Sequence, residues 1–476
     1  MKQATNNNYL AEERIGKLMI SFSVPCIMSL LVASLYNIVD QIFIGQGIGY
    51  LGNGATNVVF PVTVIALAFA LMTGDGCAAY LSICQGMDDR EKAHKSVGNA
   101  ILLIILISLL FTAVLAINGD RFLLAFGATE NNMAYAQEYF RYLIPGLPFF
   151  MFGNAMNSII RADGSPKFAM ISTLIGAVIN VILDPIAIFV LDWGMMGAAL
   201  ATIAGQIVTA VLGIWYLCRP RSFRLDKSSF AFDAGILKRI LPLGTSSFLT
   251  QVSIVIIMAG MNNMLVIYGA RTKYGADIPL TVVGIVMKVF QIVIAVVVGI
   301  AAGSQPIIGF NYGAGRTDRV WSIFKLMMLA EGLIGLVSML LFECFPLQII
   351  RIFGSEEGLY NEFAVLAFRI YLSTILLCCL QKSTSIFLQA LGKPVLSTGL
   401  SLLRDFVLSL PLVLLLPRQF GLMGTLYSAP AADIVSLIAV CGCWIYIRQF
   451  IFRQQIKPAP AAVRTSRVIE TVGSSH

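Results

Sequence analysis

Two aspartates lie inside apolar segments, where an ionisable side chain costs several kcal/mol unless it is paired or solvated. Asp40 lies near the end of the first segment and Asp184 near the end of the fifth. Asn180 precedes Asp184 by one helical turn, so both side chains share a face. Thr202, in the sixth segment, is expected at about the same depth in the membrane as Asp40, Asn180 and Asp184. Oxygen ligands of this kind suit a bound Na⁺ or a shared proton. The alternative is that these groups only form hydrogen bonds between helices.

Prolines near these acids predict kinks, because proline removes a backbone hydrogen bond from a helix. Pro185 follows Asp184, and Pro25 lies inside the first segment. An internal repeat relates Pro185 to Pro411, and therefore relates Asp184 to Leu410. We expect the kink to occur in both halves and the carboxylate only in the first. A carboxylate needed only for architecture would more plausibly occur in both halves, so this asymmetry favours a functional role.

Further polar residues inside apolar segments have two interpretations. One is pairing between helices, for example of Lys288 or Arg404 with an acid; Asp405 belongs to the same polar set. The other is the lining of a substrate cavity. Asp75 and Glu331 fit either interpretation. The candidate cavity positions are Tyr36, Asn154, Gln206, Gln251, Lys288, Gln291 and Asp433.

The segments that position these residues are long enough to be membrane helices. Of the 476 residues, 58% are hydrophobic and 12% are charged, against about 25% charged in soluble domains. A helix of about 20 apolar residues crosses a hydrocarbon core. We predict an all-α membrane protein with twelve transmembrane helices near 17–42, 54–83, 96–118, 136–160, 168–191, 195–218, 237–267, 279–309, 319–343, 362–390, 396–417 and 421–447.

The basic residues predict the orientation. Most of them lie in the two termini and in every second turn, while the opposite turns hold only Arg121, Arg271, Lys273, Arg351 and Arg418. Basic loops stay in the cytoplasm. Both termini are therefore expected to be cytoplasmic, in a multi-pass protein of the bacterial inner membrane. Because the net charge of +8 is spread over these turns, we expect the lipid bilayer, and no nucleic acid, as partner.

The two halves of the chain repeat each other at an offset of about 227 residues. Residues 162–166 (ADGSP) correspond to 390–394 (ALGKP), and residues 194–197 (GMMG) to 421–424 (GLMG). Since the offset spans six helices, both halves begin on the same side and are related by a pseudo-two-fold axis along the membrane normal. The predicted domains are an N-terminus (1–16), a first lobe (17–218), a linker (219–236), a second lobe (237–447) and a C-terminal tail (448–476), with both ends cytoplasmic.

The sequence lacks two features that would indicate an enzyme or an ATP-driven pump. The sequence has no G-x-x-x-x-G-K-[ST] phosphate-binding loop and no extramembrane stretch long enough for a catalytic domain, so we expect neither an enzyme nor a resident cofactor. Nine cysteines lie mostly in apolar segments without metal-ligand spacing. Na⁺ at Asp40, Asn180, Asp184 and Thr202 is therefore the one metal the sequence suggests, as a coupling ion alternative to H⁺.

The sequence resembles the multidrug and toxic compound extrusion (MATE) family, in its prokaryotic branch. The resemblance covers residues 15–450 and depends on 36–40 (YNIVD), Ser82, Gly86, 162–166, 180–185 (NVILDP), 194–202 and 305–315 (QPIIGFNYGAG).

This resemblance implies a V-shaped pair of six-helix lobes that exports amphipathic, cationic compounds in exchange for Na⁺ or H⁺. It assigns the cation site to Asp40, Asn180, Asp184 and Thr202, and Asn154 to a nearby cavity. Arg404-Asp405 departs from the Arg-Gln common in relatives. We expect a monomer. The alternative is a flippase for a lipid-linked saccharide, which shares the superfamily architecture; a non-transporting receptor fits the two-lobe repeat less well.

Overall fold

A computed structural model describes residues 9–128, 130–275, 277–353 and 358–455. Within these ranges, eleven helices are long and apolar enough to span a membrane, and a pair bent by 44° supplies a twelfth span. The spans are α1 (Ile15–Gly47), α2 (Tyr50–Gly86), α3 (Arg90–Ala125), α4 (Met133–Ala162), α5 (Pro166–Val190), α6 (Gly194–Leu217), α7 (Ala234–Gly269), α8 (Asp277–Gly313), α9 (Thr317–Cys344), α10 (Leu359–Tyr371 and Ile375–Ala390), α11 (Pro394–Phe420) and α12 (Leu422–Gln455).

The predicted all-α architecture with twelve spans is confirmed. Most helices begin earlier or end later than the apolar segments do. In α3, for instance, the Asp89 carboxylate caps the helix by accepting a hydrogen bond from the Lys92 backbone N–H. Such polar caps lie outside the apolar run and still lengthen the helix. Residues 1–8 and 456–476, parts of the predicted N-terminus and C-terminal tail, lie outside the described residues.

The apolar cores join the two lobes at one end of the bundle, where α1 and α7 begin and α2 and α8 end. We call this end the terminal face. Leu18 and Phe22 of α1 are buried among side chains of α8, α9 and α10. Ile236 and Ile240 of α7 are buried in the core of the first lobe. Each lobe therefore buries the first turns of a helix from the other.

Glycines allow the closest approach between the lobes at the terminal face. A Cβ added at Gly244 of α7 would overlap the backbone carbonyl oxygen of Met72 in α2. A Cβ at Gly303 of α8 would come within 2.7 Å of the Ser23 Cα atom in α1. Helices pack backbone to backbone only where a small residue leaves room. The terminal face is therefore closed in this conformation.

A linker between α6 and α7 is attached to the first lobe by one buried carboxylate. Asp163, in the α4–α5 turn, accepts hydrogen bonds from the Tyr216 hydroxyl at 2.6 Å and from the backbone N–H groups of Arg221 at 2.7 Å and Ser222 at 2.9 Å. The Ser222 hydroxyl also donates to it. Burial raises the pKa of Asp163, although these hydrogen bonds partly offset that effect. The start of the linker is thus held by Asp163.

We expect Asp163→Ala to lower the stability of the protein by about 3 kcal/mol or more, because buried donors would lose their acceptor. The measurement is the midpoint of thermal unfolding in detergent. Asp120→Ala is the matched control, since Asp120 is exposed and accepts one hydrogen bond, from Gln137. Equal midpoints for the two variants would contradict this role for Asp163.

Candidate functional site

The first lobe brings two buried carboxyl groups from different helices together. Asp40 of α1 is 9% exposed and Asp184 of α5 is fully buried. Their carboxyl groups lie within hydrogen-bonding reach of each other. Two acids this close inside a membrane cannot both be ionised without a cation between them. The pair therefore needs either a proton or a bound cation.

Glycine packing places the neutral ligands beside this pair. Gly176 of α5 faces Gly205 of α6, and a Cβ added at Gly176 would lie 2.8 Å from the Gly205 carbonyl oxygen. This approach brings the Asn180 amide nitrogen to 3.5 Å from the Thr202 hydroxyl oxygen. The same nitrogen donates to Asp184 Oδ1 at 3.2 Å. All four residues selected from the sequence thus meet in one place.

The site has more acceptors than donors. Four buried oxygens have no hydrogen-bond partner among the described residues: Asp40 Oδ1, Asn180 Oδ1, Asp184 Oδ2 and Gln206 Oε1. Gln206 lies one turn beyond Thr202 on α6. Buried acceptors are normally satisfied, and oxygen-only sets suit hard cations. The described residues contain no cluster of three His, Cys, Asp or Glu side chains able to hold a metal. The arrangement therefore fits a proton or Na⁺ better than a transition metal.

Tyr139, a residue that the sequence analysis missed, also lies at this site. It is 7% exposed, and its hydroxyl lies beside Thr202 and near both carboxyl groups. The predicted Tyr36 lies one turn before Asp40 on α1 and is half-buried. No spacing rule links Tyr139 to α5 or α6, because the contact depends on how α4 is oriented against them.

The sequence predicted equivalent kinks beside Pro185 and Pro411. The structure instead distorts the two helices at different positions. After Pro185, α5 changes to a π-helix at Ile186–Val190. In α11 the π-helix is Leu403–Leu408 and lies before Pro411. The two halves are therefore distorted at positions that do not correspond in the repeat. α1 continues as one helix through Pro25, whose carbonyl oxygen accepts a hydrogen bond from the Ser29 hydroxyl at 2.9 Å.

The second lobe contains a buried network of ion pairs. Arg404 donates to Asp405 at 2.9 Å and to Asp433 at 3.0 Å. The Lys382 ammonium lies 2.5 Å from Asp405, and Thr374 donates to Asp433 at 2.8 Å. The predicted pairing of Arg404 with an acid is observed. Lys382, which the sequence analysis did not select, is its second cation.

The other candidate cavity positions are distributed over α4, α7, α8 and α12. Lys288 is exposed on α8 and forms no ion pair with any described residue, so its predicted pairing is wrong. Asp433 is 3% exposed and occupied by the ion-pair network, which argues against a cavity position. Asn154 donates to the Phe150 carbonyl oxygen of its own helix at 2.8 Å. Gln251 and Gln291 are half-buried on α7 and α8. Asn154 was predicted from the family resemblance and the other residues from their polarity, and neither specifies the direction of a side chain.

Asp75 of α2 connects the lobes near the terminal face. It accepts hydrogen bonds from Ser158 of α4 at 2.7 Å and from Ser247 of α7 at 2.9 Å. Arg161 lies 3.8 Å from the same carboxylate. Gln389 of α10 donates to Ser247 at 3.3 Å. This polar contact lies beside the glycine contacts and reinforces the closed face.

Comparison with known proteins is consistent with this geometry. The family model described as MatE matches residues 25–186 and 252–415. The multidrug export protein MepA of Staphylococcus aureus (strain N315) is 23% identical over 474 residues, which cover 97% of this chain and 98% of that protein.

Solved structures show the same fold. The crystal structure of MATE in complex with MaL6 superposes with a TM-score of 0.86 at 24% identity, covering 94% of this chain and 99% of that one. The outward-facing conformation of a multidrug resistance MATE family transporter of the MOP superfamily has a TM-score of 0.84 at 24% identity, covering 94% and 98%. With a family match across both lobes and twelve membrane spans, this chain belongs to the MATE family of multidrug transporters.

Proposed function

We propose that the protein exports amphipathic, cationic compounds from the cytoplasm in exchange for a coupling cation, H⁺ or Na⁺. Asp40, Asn180, Asp184 and Thr202 bind that cation, and Tyr139 and Gln206 border the site. The relatives named multidrug export protein MepA, which align over nearly their whole length, support the export of multiple compounds.

The observation that carries the proposal is the set of four buried oxygens without partners among the described residues, one from each of the two carboxyl groups and one each from Asn180 and Gln206. A cation bound there neutralises the carboxyl pair, and its release restores repulsion between them. A change of this kind shifts the balance between conformations only if the cation binds one of them more tightly. α1 carries Asp40 and also packs against α8 of the second lobe at the terminal face, so it links the cation site to the contact between the lobes.

The distribution of basic residues supports a cytoplasmic location for the termini, and therefore for the closed terminal face. The described conformation then corresponds to the half of the cycle in which substrate leaves and the coupling cation enters from outside. A flippase for lipid-linked saccharides is the weaker alternative. In this second lobe Arg404 and Lys382 are neutralised by Asp405 and Asp433, and a single exposed Lys288 is a weak site for an anionic headgroup.

Purified protein in liposomes tests the proposal with a fluorescent lipophilic cation as substrate. One arm applies a Na⁺ gradient at equal pH and the other a pH gradient without Na⁺. We expect efflux in at least one arm and none after both gradients are collapsed. If the rate of dye efflux does not change with either gradient, coupling to a cation is ruled out. If the protein flips a lipid-linked saccharide and does not export the dye, the alternative function is favoured.

A further inference from the structure

Another buried acid, Glu331, lies in the second lobe, in the middle of α9. Glu331 is 0% exposed, and neither of its carboxyl oxygens has a hydrogen-bond partner that satisfies normal geometry among the described residues. The Ser383 hydroxyl of α10, which also has no such partner, lies within reach of the carboxyl group. An ionised carboxylate in this position would be uncompensated.

The surroundings favour a proton over a metal cation. α10 presents one further titratable group to Glu331, the Cys379 thiol one turn from Ser383. A thiol is a poor ligand for Na⁺, and a single hydroxyl does not complete an oxygen shell. Among the described residues no cation forms an ion pair with Glu331. Lys382 is engaged with Asp405.

Charged groups on α8 and α12, which also pack against α9, are exposed or engaged with other residues. Lys288 of α8 is exposed, and Asp433 of α12 is bound by Arg404. On α9 itself, the Lys325 ammonium lies over the Trp321 ring. With no compensating charge, the carboxyl group is neutral in this conformation, and its O–H can donate to Ser383.

Packing alone does not require an acid at this position. In the first lobe α3 is the counterpart of α9, and its residues 96–119 contain no ionisable side chain. Ser383 lies on the half of α10 that follows the 44° bend. Gly335, one turn beyond Glu331, brings α9 close to that half: an added Cβ would lie 2.8 Å from the Leu376 Cα atom. A shift of this half relative to α9 changes the environment of Glu331 directly.

We propose that Glu331 and Ser383 form a proton-binding site separate from the Asp40–Asp184 pair, which takes up a proton from water and returns it to water in each transport cycle. This inference depends on the proposed export function. The carboxylate gains an O–H bond when the proton binds and loses it on release, and no other reactant is needed.

The test uses Glu331→Gln, which keeps the shape and removes the titration. In liposomes driven by a pH gradient, we expect export to fall about tenfold or more, which corresponds to about 1.4 kcal/mol, and the remaining activity to lose part of its pH dependence. Glu343→Gln is the matched control on the same helix, where the acid is 41% exposed. Infrared spectra at neutral pH should show absorption from protonated carboxyl groups, of which Glu331→Gln removes one component that Glu343→Gln retains.

The outcomes are distinct. If Glu331→Gln exports at the wild-type rate with the wild-type pH profile, the inference is wrong even if the infrared band is present. If Glu331→Gln does not accumulate, Ser383→Ala decides, because it should shift the pH profile by altering the proton affinity; an unchanged profile overturns the inference. Failure of the proposed function is recognised separately, since wild-type protein would then show no gradient-dependent efflux.

Discussion

Asp184→Asn is expected to reduce drug export to the level of a host without the protein, while the variant accumulates normally. The substitution removes one of two carboxyl groups that lie within hydrogen-bonding reach of each other. Removing one charge from a buried, paired site weakens the free energy of cation binding by about 3–5 kcal/mol. This loss lowers the affinity for the cation by more than about a hundredfold. The amide has almost the same shape, so the packing of α5 against α6 should survive.

The measurement is the minimum inhibitory concentration of lipophilic cations in a drug-susceptible host, normalised to the amount of protein in the membrane. Asp192→Asn is the control: it makes the same substitution at an exposed aspartate in the turn after α5, where the backbone φ of 52° suits asparagine. Asp40→Asn should behave like Asp184→Asn. If both site variants confer full resistance, the cation site is wrongly assigned.

Gly244→Ala is expected to impair transport as strongly as Asp184→Asn does, but for a different reason. Its methyl group would overlap the Met72 carbonyl oxygen, a backbone atom that cannot move by a simple change of rotamer. The two helices must therefore separate. Overpacking of this kind costs about 1–3 kcal/mol, which lowers the ratio of closed to open conformation by about 5- to 150-fold.

Gly260→Ala is the matched control on the same helix. A Cβ at Gly260 would meet only side-chain atoms of α11, at 3.7 Å or more. Export is measured in the same liposomes, and closure by the rate at which a maleimide labels Ser247→Cys after the exposed native thiols at Cys218, Cys344 and Cys441 have been replaced by serine. We expect faster labelling and slower export with Gly244→Ala only. Equal behaviour of the two variants would show that this contact does not control closure.

Much of the fold follows from local sequence patterns. A run of apolar residues specifies a membrane helix because each backbone N–H and C=O must be satisfied within the span. Twelve such runs and the repeat therefore predict the two-lobe architecture. The pairing of Asn180 with Asp184 is also local, because it depends only on helical periodicity.

The same patterns do not specify which faces of distant helices meet. That depends on small residues at crossing points, such as Gly176 with Gly205, and on the rotation of each helix against its neighbours. Lys288 and Lys382 illustrate the limit. Both are lysines in apolar segments, yet one is exposed and the other is 2.5 Å from Asp405.

The sequence by itself determined the membrane spans, the repeat and the acids that are candidates for the coupling cation, because length, hydrophobicity and spacing along one helix are properties of the chain. Only the tertiary structure decided that Tyr139 joins the first site, that Glu331 lies beside Ser383 without a compensating charge, and that the terminal face is closed. These depend on contacts between residues far apart in the chain, where a shift of about one side-chain length in helix packing decides whether two groups meet.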